Sequence, residues 1–106
     1  MKKVISSPLA PAAIGPYSQA TEAAGLVFVS GQLPIDAATG DMPEGIEAQA
    51  RQSLLNIQHI LEAAGLNMSH IVKTTVYLQD MSLFGSMNAV YATFFEGDYP
   101  ARAAFA

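Results

Sequence analysis

At 106 residues, 51% of them hydrophobic, the sequence is long enough for one domain with a real core. Charged residues make up only 13%, against roughly 25% in an average soluble domain, so part of the surface is expected to be covered by another copy of the chain. A net charge of −4 with no Lys/Arg run argues against a phosphate-tracking nucleic-acid surface, and the absence of cysteine rules out disulfides and thiolate metal sites.

Along the chain, Lys2 and Lys3 precede an apolar start that stops at Ile5, and Pro8 and Pro11 follow. A secretory signal needs about 7–15 apolar residues there, and a membrane span needs about 18. Neither run is present, so a soluble cytoplasmic protein with no membrane partner is expected. Lys2–Ser6 reads as a short edge strand. Ser7–Pro16, with Pro8, Pro11, Gly15 and Pro16, reads as loop. Ser18–Ser30 reads as a hairpin. Val27, Phe28 and Val29 favour strand, Ala24-Gly25 marks the turn, and pairing with Leu26–Ser30 explains the alanine-rich first arm. Gly31–Gly45 is a long connection rich in turn residues (Pro34, Asp36, Thr39-Gly40-Asp41, Pro43), and connections of that length are often functional.

Ile46–Ala64 carries the clearest helical pattern. Ile46, Ala50, Leu54, Ile57, Leu61 and Ala64 fall on one face, while Glu47, Gln49, Gln52, Asn56 and Glu62 fall largely elsewhere. Gly65 sits where a helix end favours a left-handed residue, and Leu66 can fold back on the last turn. His59 and His70 are the only histidines. Neither has an acidic or histidine partner at ligand spacing, so no metal site is expected. Ile71–Leu78 reads as a strand, with Lys73 on the side of Ile71, Thr75 and Tyr77. Asp80 can cap a following helix. Phe84, Met87, Tyr91 and Phe94 form the core stripe of a second helix, ended by Gly97 and Pro100, and Ala101–Ala106 begins another extended apolar segment.

This order predicts an α+β domain, a mixed sheet with two helices on one face. Val27, Val29, Val72 and Val76 lie among apolar neighbours instead of alternating cleanly with polar ones, so the sheet is expected to be buried on both faces, the second by another subunit.

No phosphate loop, paired-histidine motif or nucleophile elbow occurs. Of the two arginines, Arg51 lies in a polar stretch and reads as solvated. Arg102 lies between Tyr99-Pro100-Ala101 and Ala103-Ala104-Phe105, at the start of an apolar strand, and there a guanidinium needs an anionic partner. Two partners fit: a carboxylate of the protein, or a ligand carboxylate gripped by the bidentate fork. Tyr17 follows the rigid Gly15-Pro16 turn; its hydroxyl either lines a cleft or simply meets water. Gly31, in Ser30-Gly31-Gln32, permits close approach of a ligand to the backbone, or merely a turn.

Six stretches together resemble the Rid family (RidA/YjgF), the reactive intermediate (enamine/imine) deaminases. They are Ala13–Ala20, Val29–Pro34, Ala50–Ile57, Val76–Met81, Phe84 through Met87-Asn88 to Tyr91, and Tyr99–Ala103, in family order across nearly the whole chain. The resemblance implies a chorismate-mutase-like fold, a homotrimer whose sheets face inward into a barrel-like core, and a ligand cleft at each subunit interface. It implies hydrolysis of 2-aminoacrylate and related imines to 2-keto acids and ammonia, with no cofactor. By the same resemblance Arg102 binds the substrate carboxylate, Tyr17 lines the cleft, the Gly31 backbone faces the ligand, and Phe84 is an aromatic wall supplied across the interface. Ser30 and Asn88 match cleft-adjacent positions, and Lys73 is also family-like. The family continues through a final strand carrying a glutamate thought to help place or activate the attacking water. Residues 1–106 hold neither, so the sequence reads as a single Rid-like domain lacking that strand, and a longer chain is expected. Two other functions stay open: an endoribonuclease or translation inhibitor, which the acidic balance opposes, and a non-catalytic module that binds a small carboxylate through the same Arg102.

Overall fold

The hairpin is set by its turn. In the computed structural model, which describes residues 1–106, Ala24 and Gly25 both take positive φ (54° and 78°). Two consecutive left-handed residues make the turn whose twist matches antiparallel strands. They join β2 (Ala20–Ala23) to β3 (Leu26–Val29), and β1 (Lys3–Ile5) pairs antiparallel with the other edge of β2. Ile5, Ala20 and Val29 lie in one cross-strand row facing the interior, and Val4, Thr21 and Phe28 lie in the neighbouring row facing out.

Helix α1 (Ile46–Ala63) ends as its sequence predicts. Gly65 is left-handed (φ 77°), Leu66 N–H donates to Leu61 O at 2.8 Å, and Gly65 N–H donates to Glu62 O at 3.0 Å. These two bonds satisfy carbonyls that a bare helix end would leave open. The buried face is broader than the predicted stripe. Leu54 and Leu61 join one core cluster, while Ile60, completely buried, joins a second with Ile5, Ala10 and Ala20. The helix therefore packs on two sides. Asn56, expected among the outward residues, is also completely buried.

The second half is built around a parallel pair, β4 (Lys73–Tyr77) and β5 (Ala101–Phe105), in the register Thr74↔Arg102 and Tyr77↔Phe105. A 3-10 turn at Met68–His70 precedes β4, capped by Asn67 and closed by the His70 ring, whose Nδ1 accepts from Asn67 N–H at 3.1 Å. Asp80 caps a 3-10 turn at Met81–Leu83 that leads into α2 (Phe84–Ala92). Helix α2 is shorter than the sequence pattern suggests. The Thr93 hydroxyl donates to Val90 O at 2.6 Å and its N–H bonds the same carbonyl, so the chain tightens and turns off. The aromatic residue then delivered to the core is Phe95, against Tyr91 at 5.0 Å between centroids, and Phe94 is left half-buried.

The expected single mixed sheet is not formed. The strands make two separate ladders, an antiparallel β1-β2-β3 sheet and a parallel β4-β5 pair. Both turn their inner faces to the packed helices: Val29 and Val76 reach the cluster of Leu54, Leu61, Met68, Leu78, Met87, Tyr91 and Phe95. The strands do carry apolar side chains on both faces, and in β3 and β4 half-buried and exposed positions alternate. Val27, Val29 and Val76 point in; Val4, Leu26, Phe28, Tyr77 and Phe105 point out and are about half exposed or more. Val72, just before β4, is 75% exposed and belongs to neither core cluster. No helix is long and apolar enough to cross a membrane.

Candidate active site

Residues 84, 88 and 91 are four and three apart, so α2 presents Phe84, Asn88 and Tyr91 on one side. Pairing of β5 with β4 brings Arg102 to that side. Its Nη1 donates to Asn88 Oδ1 at 2.6 Å, and its guanidinium carbon lies 4.8 Å from the centre of the Tyr91 ring and 5.2 Å from that of Phe84. The Tyr91 hydroxyl is in turn 2.7 Å from Thr74 Oγ1, the register partner of Arg102 on β4. Arg102 is exposed, and its partner in this chain is a neutral amide. Of the two partners the sequence allows, no carboxylate within residues 1–106 takes the role. Two aromatic faces and one amide hold a cation whose remaining donors are open, an arrangement able to take a planar anion.

A second group forms around β2 and β3. Tyr17, 51% exposed, follows the Gly15-Pro16 turn, and its ring lies over Gly15. With Ser18, Gln19 and the stretches 4–8 and 10–13 it lines an open groove of about 630 Å³. The Ser30 hydroxyl donates to Ser18 O at 2.6 Å, tying the end of β3 to the Tyr17 segment. Gly31 is exposed, and a Cβ there would meet nothing within 4 Å in this chain, so the internal packing does not call for glycine.

Two buried amides brace these loops, and neither is singled out by sequence reasoning. Gln19 accepts from Ser7 N–H at 2.6 Å and donates to Ser7 O, Ala10 O and Pro11 O, pinning the proline-rich loop in front of Tyr17. Asn56 donates to Leu33 O at 3.1 Å and Ile35 O at 3.0 Å and accepts from Gln52 Nε2 at 2.9 Å, pinning the connection that follows Gly31. Gln52, Asn56 and Ile60 are four residues apart, and that spacing is the one signal for Asn56 in the sequence.

The remaining candidates are surface or scaffold groups. Arg51 is exposed, 6.0 Å from the Phe94 ring centre. Lys73 is exposed on the outer face of β4. His59 Nδ1 lies 3.2 Å from Leu9 O, and His70 closes its capping turn. The Asp80 carboxyl is held below the usual carboxylate value by the Ser82 backbone N–H it accepts and, second, by the Ser82 hydroxyl. Phe84, Asn88 and Arg102 are thus assembled in one place and Tyr17, Ser30 and Gly31 in another. No hydrogen bond or ring contact within the chain joins the two groups.

The sequence model of the family described as endoribonuclease L-PSP matches residues 7–106. A mouse protein named 2-iminobutanoate/2-iminopropanoate deaminase is 48% identical over 99% of this chain and 78% of its own length. A Salmonella typhimurium protein of the same name is 49% identical over 96% of this chain and 82% of its own. Among solved structures, the YjgF gene product of Escherichia coli superimposes with a TM-score of 0.94 at 45% identity, covering 97% of this chain and 84% of that one. Escherichia coli TdcF, solved with bound serine, gives 0.94 at 42% identity with the same shares covered.

Proposed function

The chain belongs to the Rid family, the family of the endoribonuclease L-PSP sequence model, and from that premise we propose that it is a hydrolytic deaminase of 2-aminoacrylate-type enamines and imines. The observation that carries this is Arg102: an exposed guanidinium flanked by Phe84 and Tyr91, bonded to Asn88 and paired with no carboxylate of its own chain. The names of the deaminase relatives and the serine bound to TdcF support a small carboxylate as its ligand.

The reaction needs no strong nucleophile. The open donors of Arg102 grip the substrate carboxylate, and this fixes the adjacent C=N carbon in place. That carbon is electrophilic, more so once its nitrogen is protonated. Water adds to it to form a carbinolamine; the C–N bond then breaks, ammonia leaves and a 2-keto acid remains. The Gly31 N–H and the Tyr17 hydroxyl supply hydrogen bonds where charge develops.

Both groups of residues serve one cleft if the cleft lies between subunits. The exposed outer row Val4, Leu26, Phe28, Tyr77 and Phe105 supports a homotrimer with its sheets facing inward, in the chorismate-mutase-like manner. In it the Tyr17, Ser30 and Gly31 group of one subunit meets the Phe84, Asn88 and Arg102 group of another.

The test is release of 2-keto acid from freshly generated 2-aminoacrylate, with and without the protein. Acceleration that disappears in Arg102→Ala supports the deaminase. A folded protein that binds a 2-keto acid without accelerating its release is a carboxylate-binding module, and cleavage of RNA that survives Arg102→Ala supports the ribonuclease reading.

A further inference from the structure

We propose that Tyr91 is a positioning residue for Arg102: a buried shelf that fixes the plane of the guanidinium before the carboxylate arrives. The proposal rests on the reading of Arg102 as carboxylate anchor. By spacing alone Tyr91 is a core residue, and its ring does pack there, 5% exposed and 5.0 Å from the Phe95 ring centre. Packing alone does not require the hydroxyl, since phenylalanine would fill the same space. The hydroxyl bonds Thr74 Oγ1 at 2.7 Å, and Thr74 sits opposite Arg102 in the β4–β5 register. The ring is therefore held at its base by α2, on its side by Phe95 and at its tip by the strand that pairs with β5. On this fixed ring lies the Arg102 guanidinium, 4.8 Å from the ring centre.

An exposed arginine otherwise samples many rotamers, and a ligand that needs one of them must bear the ordering cost on binding. A shelf anchored in the core removes that cost in advance. Tyr91 is buried beneath the guanidinium, so it acts through Arg102 and not on the substrate. Its signature is weaker carboxylate binding with an intact chemical step.

Three variants test this: Tyr91→Leu, which removes the ring, and Tyr91→Phe and Thr74→Val, which each remove only the tether. KM and kcat are measured on freshly generated 2-aminoacrylate, Kd on pyruvate by calorimetry, and Tm by thermal melt. Loss of a cation–π face is expected to raise KM and the pyruvate Kd together by about five- to tenfold in Tyr91→Leu, with kcat changed less than about twofold. Tyr91→Phe is expected to restore most of this. Tyr91→Phe and Thr74→Val should each leave a rise of about two- to threefold, and the double variant should be no worse than either single one. If Tyr91→Leu does not fold, the two tether variants carry the test alone. A purely structural role lowers Tm and the active fraction but leaves KM and Kd unmoved. That result, additive tether variants, or failure of phenylalanine to rescue would overturn the proposal. Arg102→Ala separates the two levels. If it leaves pyruvate binding and turnover intact, the carboxylate-anchor reading itself fails; if it abolishes them while the Tyr91 and Thr74 variants behave as wild type, only the positioning role fails.

Discussion

Replacing Arg102 by lysine keeps the charge and removes the geometry. The guanidinium bonds Asn88 at 2.6 Å and lies over the Tyr91 and Phe84 rings at 4.8 and 5.2 Å, and no other side-chain hydrogen bond within the chain uses its donors. A lysine ammonium is a point donor and cannot make two parallel bonds to a carboxylate or stack flat on a ring. The substrate then loses at least one charge-assisted hydrogen bond, about 1.5–3 kcal/mol, which is about ten- to a hundredfold in kcat/KM. Arg102→Ala loses the anchor altogether and should fall further. The cost in stability is smaller. Arg102 is exposed and its partner is neutral, so truncation breaks one hydrogen bond and two ring contacts and leaves no buried carboxylate behind. That amounts to about 1–2 kcal/mol, or a fall in Tm of about 4–9 °C in a domain of this size. The assay is keto-acid release from 2-aminoacrylate formed in situ, paired with thermal melts of all three proteins. Near-wild-type turnover in Arg102→Lys would show that the planar fork is not what orients the substrate. A loss of several kcal/mol in Arg102→Ala with activity held within tenfold would return Arg102 to a structural role.

Light scattering at micromolar concentration should report about three times the 11.2 kDa of this chain, and a stable monomer would remove the interface cleft. Tyr17→Phe should slow deamination by about ten- to a hundredfold with the assembly intact. Trimers reassembled from equal amounts of Tyr17→Phe and Arg102→Ala should recover about one quarter of wild-type activity, because each mixed trimer regains one unmutated cleft; no recovery means both residues act from a single chain. Asn56→Ala strands Leu33 O, Ile35 O and the Gln52 amide and should cost about 3 kcal/mol in a melt, with a loss under 1 kcal/mol refuting Asn56 as the brace of that loop. Because folding lowers the Asp80 pKa below 3.8, the ionised cap should stabilise the fold fully above that pH and lose its effect as pH falls through the lowered folded value. The difference in Tm between wild type and Asp80→Asn should therefore be flat near neutrality and shrink in acid.

Local chemistry made the elements legible, and long-range pairing was what it left out. Gly25 and the Val27–Val29 run located the hairpin, because glycine takes a left-handed turn position freely and the valines favour strand; the left-handed Ala24 beside it carries no such signal in sequence. The four- and three-residue steps from Ile46 and the glycine at position 65 located α1 and its end. Helix α2 read too long because Phe94 continues the apolar period, whereas the stop is a threonine hydroxyl turned back on Val90, a weak signal in sequence. Which strands pair is set by contacts between distant segments. So the same strands that imply one mixed sheet form an antiparallel triplet and a parallel pair.

The site follows the same division. Arg102 stood out because a cation in an apolar strand needs a partner, but the partner depends on the β4–β5 register, which no local pattern states. Once that register is in place, the helical spacing of Phe84, Asn88 and Tyr91 fixes the surroundings of the guanidinium. Asn56 and Gln19 were hidden for a different reason. A hydropathy pattern assigns every polar side chain to water, yet a buried amide with all its bonds made costs little and can hold a loop that has no secondary structure of its own. Both amides secure segments next to candidate residues, Gln19 the loop before Tyr17 and Asn56 the connection after Gly31. A cleft built on loops needs such braces, because a donor displaced by an ångström no longer meets the developing charge. On the proposed reading, Gln19 and Asn56 are what hold the loop-borne half of the cleft in place.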